Sequence, residues 1–425
     1  MRFRIVVVAY TLWLIAIFGA LYATHSKSQT ALEFALLSGL IPVGLQLLLL
    51  GVDLRGLVAP AQMWLAFLLI ILLSYLANAT DPQLAPRATG ELPVPAAWLP
   101  IVYTLNVVFA LAIATVFAGC PDRRLLRSVA ALYCVLLTPF LIYTDLTGER
   151  SMWGDRLVAS GLQENTWGVM GLLLCFGALA LRNRPLALAG FATGTATMLA
   201  ANSRENLAAV AAGLLVIGIL EWRTMLKGSR LLTVLAGSCA ILVIAGVLLD
   251  PYVYDAIHYV KSDVLVLDDP LRGVDSGFSG RTVVWAAAFD AWLKSPLLGV
   301  GYRMHEQFLP DEIPGHNAYL AMLADTGVVG FVWFFVLLIG SLLASLRIQD
   351  QRTRRFVVAI IVARFVGGFF DRITIDGGSF QGLIFIICCS VALADQSLRR
   401  AASLFKEPPP LAARLSLLPP GRASR

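Results

Sequence analysis

Three polar signatures stand apart in an otherwise apolar chain: Ser203-Arg204-Glu205, Gly280-Arg281-Thr282 and Gly315-His316-Asn317. An arginine guanidinium offers a planar fork of donors that matches phosphate or carboxylate oxygens. A histidine titrates near neutrality and serves as proton acceptor, phosphate ligand or helix cap. Ser203 before one arginine and Ser279-Gly280 before the other suit helix starts, where unpaired backbone N–H groups favour an anion. Two arginines and a histidine gathered in one place would suit an anionic substrate and a proton transfer.

Each residue also has a plainer use. Taken alone, Arg204 reads first as an interfacial anchor paired with Glu205 or another acid. Arg281 opens an amphipathic stretch to Lys294 in which Trp285, Phe289 and Trp292 recur at i, i+4 and i+7. That stripe reads as packing or interface anchoring rather than a sugar platform, and Pro296 and Gly299-Val300-Gly301 end the helix. His316 reads as a helix cap as readily as a catalytic group. His305, Glu306, Asp311, Glu312 and His316 are close in sequence but fit no standard zinc spacing, so no metal is expected. Arg364 lies inside an apolar block, with Asp371 two helical turns further along the same face. It either lines a substrate cavity or holds helices together.

The positioning elements must be membrane helices. Hydrophobic residues make up 58% of the chain and charged residues 14%, with a mean hydropathy of +0.77, whereas soluble domains carry about 25% charged residues. The apolar residues fall in blocks of about 16 to 22, enough to cross a hydrocarbon core of roughly 30 Å as helix. Twelve blocks are expected to span, near 5–23, 31–51, 61–78, 98–119, 127–144, 166–181, 185–201, 205–221, 230–249, 327–346, 356–371 and 378–395. The fold class is thus all-α, a polytopic integral membrane protein of about 12 helices. The run after Arg2 and Arg4 is long for a signal peptide and is expected to be a retained first helix. The six cysteines lie in or at the ends of these blocks without C-x-x-C spacing, and read as packing residues.

With the N-terminus in the cytoplasm, 21 of the 33 lysines and arginines fall on the inner side, mostly in short connections. All acids except Asp53, Asp122, Glu221, Asp350, Asp395 and Glu407 fall outside. The net charge of +6 therefore records orientation and gives no reason to expect nucleic acid. This threading puts Arg204, Arg281 and His316 on one face, the outer one, and both termini inside. Four segments are expected: helices 1–5 with their outer loops over 1–165, a catalytic unit over 166–346, helices 11–12 over 347–396, and a basic, Pro-rich tail over 397–425 that is disordered and cytoplasmic. The catalytic unit includes a large helical outer loop, 250–326, between spans 9 and 10; loops of that length are usually functional.

Three motifs in order carry a resemblance. Ser203-Arg204 opens a span; Ser279-Gly280-Arg281-Thr282-Val283-Val284-Trp285 precedes Pro296-Leu297-Leu298-Gly299-Val300-Gly301; His316-Asn317-Ala318-Tyr319-Leu320 precedes Gly327 and Gly330. In this the chain resembles the O-antigen ligase and O-antigen polymerase superfamily of bacterial envelope glycosyltransferases over roughly 167–342. Gly161-Leu162-Gln163-Glu164-Asn165 is a looser match, and Glu205-Asn206 departs from the small residues that often follow the arginine. The resemblance implies a C-type glycosyltransferase of the inner membrane with a periplasmic active site. Such an enzyme takes glycan from an undecaprenyl diphosphate carrier, without metal or cofactor. The acceptor is lipid A–core in a ligase, or a second lipid-linked glycan in an O-antigen or exopolysaccharide polymerase. Carried onto this chain, Arg204 and Arg281 bind the diphosphate. His316 positions or deprotonates the acceptor hydroxyl or joins the diphosphate site, and Arg303 and Asn317 contribute to substrate binding. The rival from another class is a transporter of an anion or lipid-linked saccharide, which should gather polar groups near the bilayer midplane. Arg364 is the one clear mid-span charge in this reading.

Overall fold

Apolar chain in hydrocarbon has to close its backbone hydrogen bonds internally, which favours helix. The computed structural model describes residues 1–23, 37–79, 81, 84, 98–150, 157–158, 164–226, 281–309, 317–370, 375 and 380–404. Its helices are α1 (Arg2–Ala23), α2 (Leu40–Leu49), α3 (Leu54–Asn78), α4 (Leu99–Ala118), α5 (Leu125–Thr147), α6 (Glu164–Ala180), α7 (Arg184–Ala200), α8 (Arg204–Leu226), α9 (Arg281–Lys294), α10 (Ala318–Ser345), α11 (Gln351–Gly367) and α12 (Phe380–Leu404). A 3-10 turn covers His305–Phe308, and Glu149–Arg150 pairs antiparallel with Leu157–Val158 in a minimal β ladder.

Polar residues punctuate the apolar runs. Asp53, Asn183, Asn317 and Asp350 each accept backbone N–H groups at the start of α3, α7, α10 and α11, satisfying donors that the helix itself leaves open.

Helices stand on eleven of the expected apolar blocks; the block at 230–249 lies outside the described residues. Five of them are long and apolar enough to cross a membrane: Leu54–Asn78, Pro100–Ala118, Leu125–Thr147, Ala318–Ser345 and Gln381–Arg399. Others are shorter, such as α2 with 10 residues and α6 and α7 with 17. The protein is therefore a helical membrane protein. Residues 250–280 and 310–316 of the loop expected to face outward, and the tail from 405, lie outside the described residues.

Two contacts fix the architecture around the polar signatures. First, α8 and α11 pack antiparallel. A Cβ placed on Gly213 would stand 3.3 Å from the Ala359 carbonyl oxygen, while further along α8 the buried Glu221 accepts from Gln351 Nε2 at 3.1 Å and Arg355 Nε at 2.8 Å. Second, α10 is broken at Gly327 (φ 64°), where the turn after α9 docks against it. Val300 and Gly301 N–H donate to the carbonyls of Ala324 and Asp325, and Val328 and Val329 N–H donate to those of Pro296 and Leu297.

Gly299 (φ 71°) and Gly327 face each other across this junction, and a Cβ on either would overlap the opposing backbone. Helix α3 holds the same place from behind: Ser74 Oγ donates to Asp325 O, and Asn78 Nδ2 to Gly299 O. We expect Gly327→Ala and Gly299→Ala each to destabilise the protein by more than about 1 kcal/mol, since an Ala forced to positive φ costs that before any overlap. Thermal unfolding in detergent checks this; an unchanged midpoint in either variant would show that the junction can open without loss.

Candidate functional site

The antiparallel register of α8 and α11 sets the level of two of the signatures along the bundle. Counting back from Gly213 to Arg204 on α8, and forward by the same number from Ala359 on α11, reaches Gly368. The Gly368 carbonyl accepts the Ala318 N–H at 2.8 Å. The start of α8 and the start of α10 are therefore level at one end of the bundle, with the C-terminal end of α11 between them. Packed helix axes are about 8–10 Å apart, so Arg204 and Asn317 stand within a few helix widths of each other.

At the α8 start, Ser203 is fully buried. Its hydroxyl accepts from Asn206 Nδ2 at 2.8 Å and donates to Glu205 Oε1 at 3.2 Å. Glu205 and Asn206 thus have a local task in holding the serine that precedes Arg204. Arg204 itself is half-buried. At the α10 start, the buried Asn317 side chain accepts from the N–H groups of Tyr319 and Leu320 at 3.1 and 3.0 Å. Asn317 is thus a helix cap, which commits its side-chain oxygen. His316 lies outside the described residues.

Arg281 is the first residue of α9, which packs against α10. The face that α9 buries is Val284, Ala288 and Ala291, with Trp285 and Trp292 half-buried beside it and Phe289 44% exposed. The aromatic stripe is therefore not the packed face: small side chains let α9 lie close, and the aromatics flank the contact. Trp292 Nε1 donates to Pro296 O at 3.0 Å, tying the helix end to the turn that follows.

That turn carries Arg303, which adopts φ 62° and is 7% exposed. Its guanidinium lies 4.4 Å from the Tyr103 ring centroid and 3.4 Å from Glu306 Oε1. Arg303 is thus packed between α4 and the 3-10 turn. Arg364, 8% exposed on α11, donates to Gln381 on α12, so it holds helices together; Asp371 lies outside the described residues.

The junction also contains a pair that the sequence did not single out. His305 is 1% exposed, and Asp325 Oδ1 accepts from its backbone N–H at 3.0 Å and from its ring Nδ1 at 2.7 Å. Burial alone would lower the His305 pKa. The Asp325 carboxylate and its hydrogen bond outweigh that, with a smaller push from Glu306 against Arg303, and leave the pKa raised above the ordinary value. The glycines on either side, Gly299 and Gly301 before His305 and Gly327 after Asp325, were the available hint that this stretch is tightly packed. Pairing across twenty residues of sequence was not visible. Of the five residues weighed as a metal set, only His305 and Glu306 are described, and the His305 Nδ1 is engaged by Asp325.

The opposite end of the bundle is a contrast. There Glu221 is held by Arg355 and Arg354, Arg127 lies 2.5 Å from Asp350, Arg123 lies 3.7 Å from Asp53, and Arg399 lies 2.7 Å from Asp395. The helix ends carrying these basic residues are joined by ion pairs.

Residues 188–335 match the O-antigen ligase family. They hold the starts of α8, α9 and α10 together with the junction at Gly327. Over that stretch the chain is similar to O-antigen ligases. Outside that stretch, the exopolysaccharide production protein ExoQ of Rhizobium meliloti (strain 1021) extends the similarity: it is 27% identical over 269 residues, which cover 58% of this chain and 59% of that protein. The chain thus spans less than two thirds of that relative's length.

The register of α8 on α11 is directly testable. In a background without native cysteines, Arg204→Cys and Phe369→Cys should be joined by a thiol reagent about 10 Å long. Arg204→Cys and Gln351→Cys, about 25 Å apart along the helix direction, should not. Gel mobility of the cross-linked product reads this, and the opposite pattern would separate Arg204 from the α10 start.

Proposed function

We propose that this protein transfers glycan from an undecaprenyl diphosphate carrier to a sugar hydroxyl, at the end of the bundle where Arg204 and the start of α10 come level. That juxtaposition within an O-antigen ligase domain is the observation that supports it. The ion-paired opposite end carries the arginine-rich connections, so the positive-inside rule makes it cytoplasmic in a bacterial inner membrane. Both termini are then cytoplasmic and the transfer site periplasmic, in a bundle of about twelve spans. The catalytic unit is 166–346, flanked by 1–165, 347–396 and the tail 397–425.

In the reaction, the acceptor hydroxyl oxygen forms a bond to the anomeric carbon as the carbon–oxygen bond to the diphosphate breaks. The electron pair leaves with the diphosphate, whose growing charge needs fixed cations beside it. Arg204 and Arg281 supply them, with Arg303 contributing to substrate binding from the α9 turn. Asn317 fixes the helix start that presents His316. His316 takes the hydroxyl proton, a role open to histidine as a side chain that titrates near neutrality. No metal or nucleotide takes part. ExoQ is named for exopolysaccharide production, which favours a second lipid-linked glycan over lipid A–core as acceptor.

Reconstitution in vesicles with undecaprenyl diphosphate-linked glycan, offering both acceptors in competition, tests the reading. Chain extension of the lipid-linked glycan is expected; transport of the glycan without any new glycosidic bond would overturn it. Arg204→Ala and Arg281→Ala should abolish transfer while the protein remains inserted. The lysine variants should also be poor, because one ammonium cannot reproduce the bidentate fork. His316→Ala should lower the rate by about 10²–10⁴ and remove the rise in activity through the histidine pKa.

A further inference from the structure

The junction between the α9 turn and the broken helix α10 is made of backbone hydrogen bonds, which do not change with pH, and of one titratable pair that does. Asp325 lies two residues before the break at Gly327, and its Oδ1 receives two N–H groups from His305. Because Nδ1 faces a carboxylate, it carries the ring proton in both charge states of the histidine. Protonation therefore occurs at Nε2, which is buried and has no hydrogen-bond partner among the described residues. The added positive charge faces Asp325 across a 2.7 Å hydrogen bond.

The surrounding groups come from every element packed here. Arg303 and Glu306 lie on the turn itself, Tyr103 from α4 lies under Arg303, and Tyr75 from α3 donates to the Tyr302 carbonyl at 2.7 Å. Ser74 of α3 donates to the Asp325 carbonyl.

This pair sits where two site-bearing helices are tied together. Helix α9, which begins at Arg281, runs through Ser295 into the turn, and the Gly299 N–H closes back on the Ser295 carbonyl at 2.7 Å. The first segment of α10 begins at Asn317 and reaches Asp325 about 12 Å further along the helix. A shift at the junction therefore moves Arg281 and Arg303 relative to the α10 start.

We propose that His305 and Asp325 are positioning residues for the transfer site, a proton-dependent clamp that fixes the α9 turn against the α10 start most tightly when His305 is protonated. The consequence for transfer rests on the glycosyltransferase reading; the clamp itself does not. A histidine whose pKa is raised on folding contributes stability in full below its unfolded value, about 6.5. That contribution is lost as pH rises through the raised folded value.

Asp325→Asn is the informative variant, since the amide oxygen can still accept both N–H groups while the charge is gone. His305→Gln removes the titrating ring. In detergent, the thermal midpoint of the wild type should fall relative to both variants as pH is raised from 6 towards 9.

In the vesicle assay, the ratio of wild-type to Asp325→Asn kcat should be about tenfold at the low end, as a small misplacement of reacting groups can cost up to 10². It should approach one at the high end. Any titration of His316 cancels in that ratio. A mere packing defect would give a ratio independent of pH, and that outcome would overturn the proposal, as would a His305→Gln enzyme whose profile superimposes on the wild type. If the wild type transferred no glycan under any condition, the transferase reading would fail. The thermal profiles would then decide the clamp, with parallel curves for wild type and Asp325→Asn counting against it.

Discussion

Two glycines facing each other across a backbone contact, Gly299 in the turn after α9 and Gly327 in the break of α10, are the constraint on which the rest of this site depends. Both have positive φ, and neither leaves room for a Cβ. The contact lets four backbone hydrogen bonds join a turn to a broken helix. In hydrocarbon, an interrupted helix would leave carbonyl and amide groups unpaired at a cost of several kcal/mol. Here the freed groups of α10 and of the turn satisfy one another. Ser74 and Asn78 of α3 take up carbonyls on the far side. Irregular backbone at the membrane is thereby made rigid, and the helices carrying Arg281 and Asn317 inherit that rigidity.

The second organising contact is the antiparallel packing of α8 on α11. At one end it is held by Glu221, a buried carboxylate whose desolvation is offset by hydrogen bonds from Gln351 and the Arg355 fork. Breaking one partner of such a buried pair is costly because the other charge is left uncompensated. At the other end, the same packing sets Arg204 level with Gly368, and the Gly368 carbonyl receives the first amide of α10. One helix pair thus fixes both the ion-paired end and the end where Arg204 and the α10 start come level.

The two ends use charge differently. At the ion-paired end, Asp53, Glu221, Asp350 and Asp395 each lie against an arginine, so its cations serve helix packing. At the other end, Ser203, Asn206 and Asn317 are spent on building helix starts. Ser203 and Asn206 there hold the helix start that carries Arg204. That division suits a site whose chemistry is anion binding at helix starts, with the scaffold held from the opposite side.

What the sequence determined by itself was the helical membrane class, the likeness to O-antigen ligases and a set of candidate site residues. Hydropathy blocks dictate helices because an apolar bilayer leaves the backbone no other partner, and motifs such as Ser203-Arg204 and His316-Asn317 are local enough to be read in order. It also suggested which residues share a face, through the distribution of charge. Tertiary structure alone decided the rest. The aromatic stripe of α9 read as packing or interface anchoring, and only the structure shows that the buried face is Val284, Ala288 and Ala291, with Trp285 and Trp292 half-buried beside it. Arg303 was expected to contribute to substrate binding; that it packs against Tyr103 and Glu306 is set by a left-handed turn that no periodicity announces. That Arg364 reaches Gln381 on α12 was likewise not legible in the sequence. His305 and Asp325 are twenty residues apart and meet only because α10 breaks at Gly327. A long-range pair of this kind is a property of how helices cross, and helix crossing is not encoded in any local pattern.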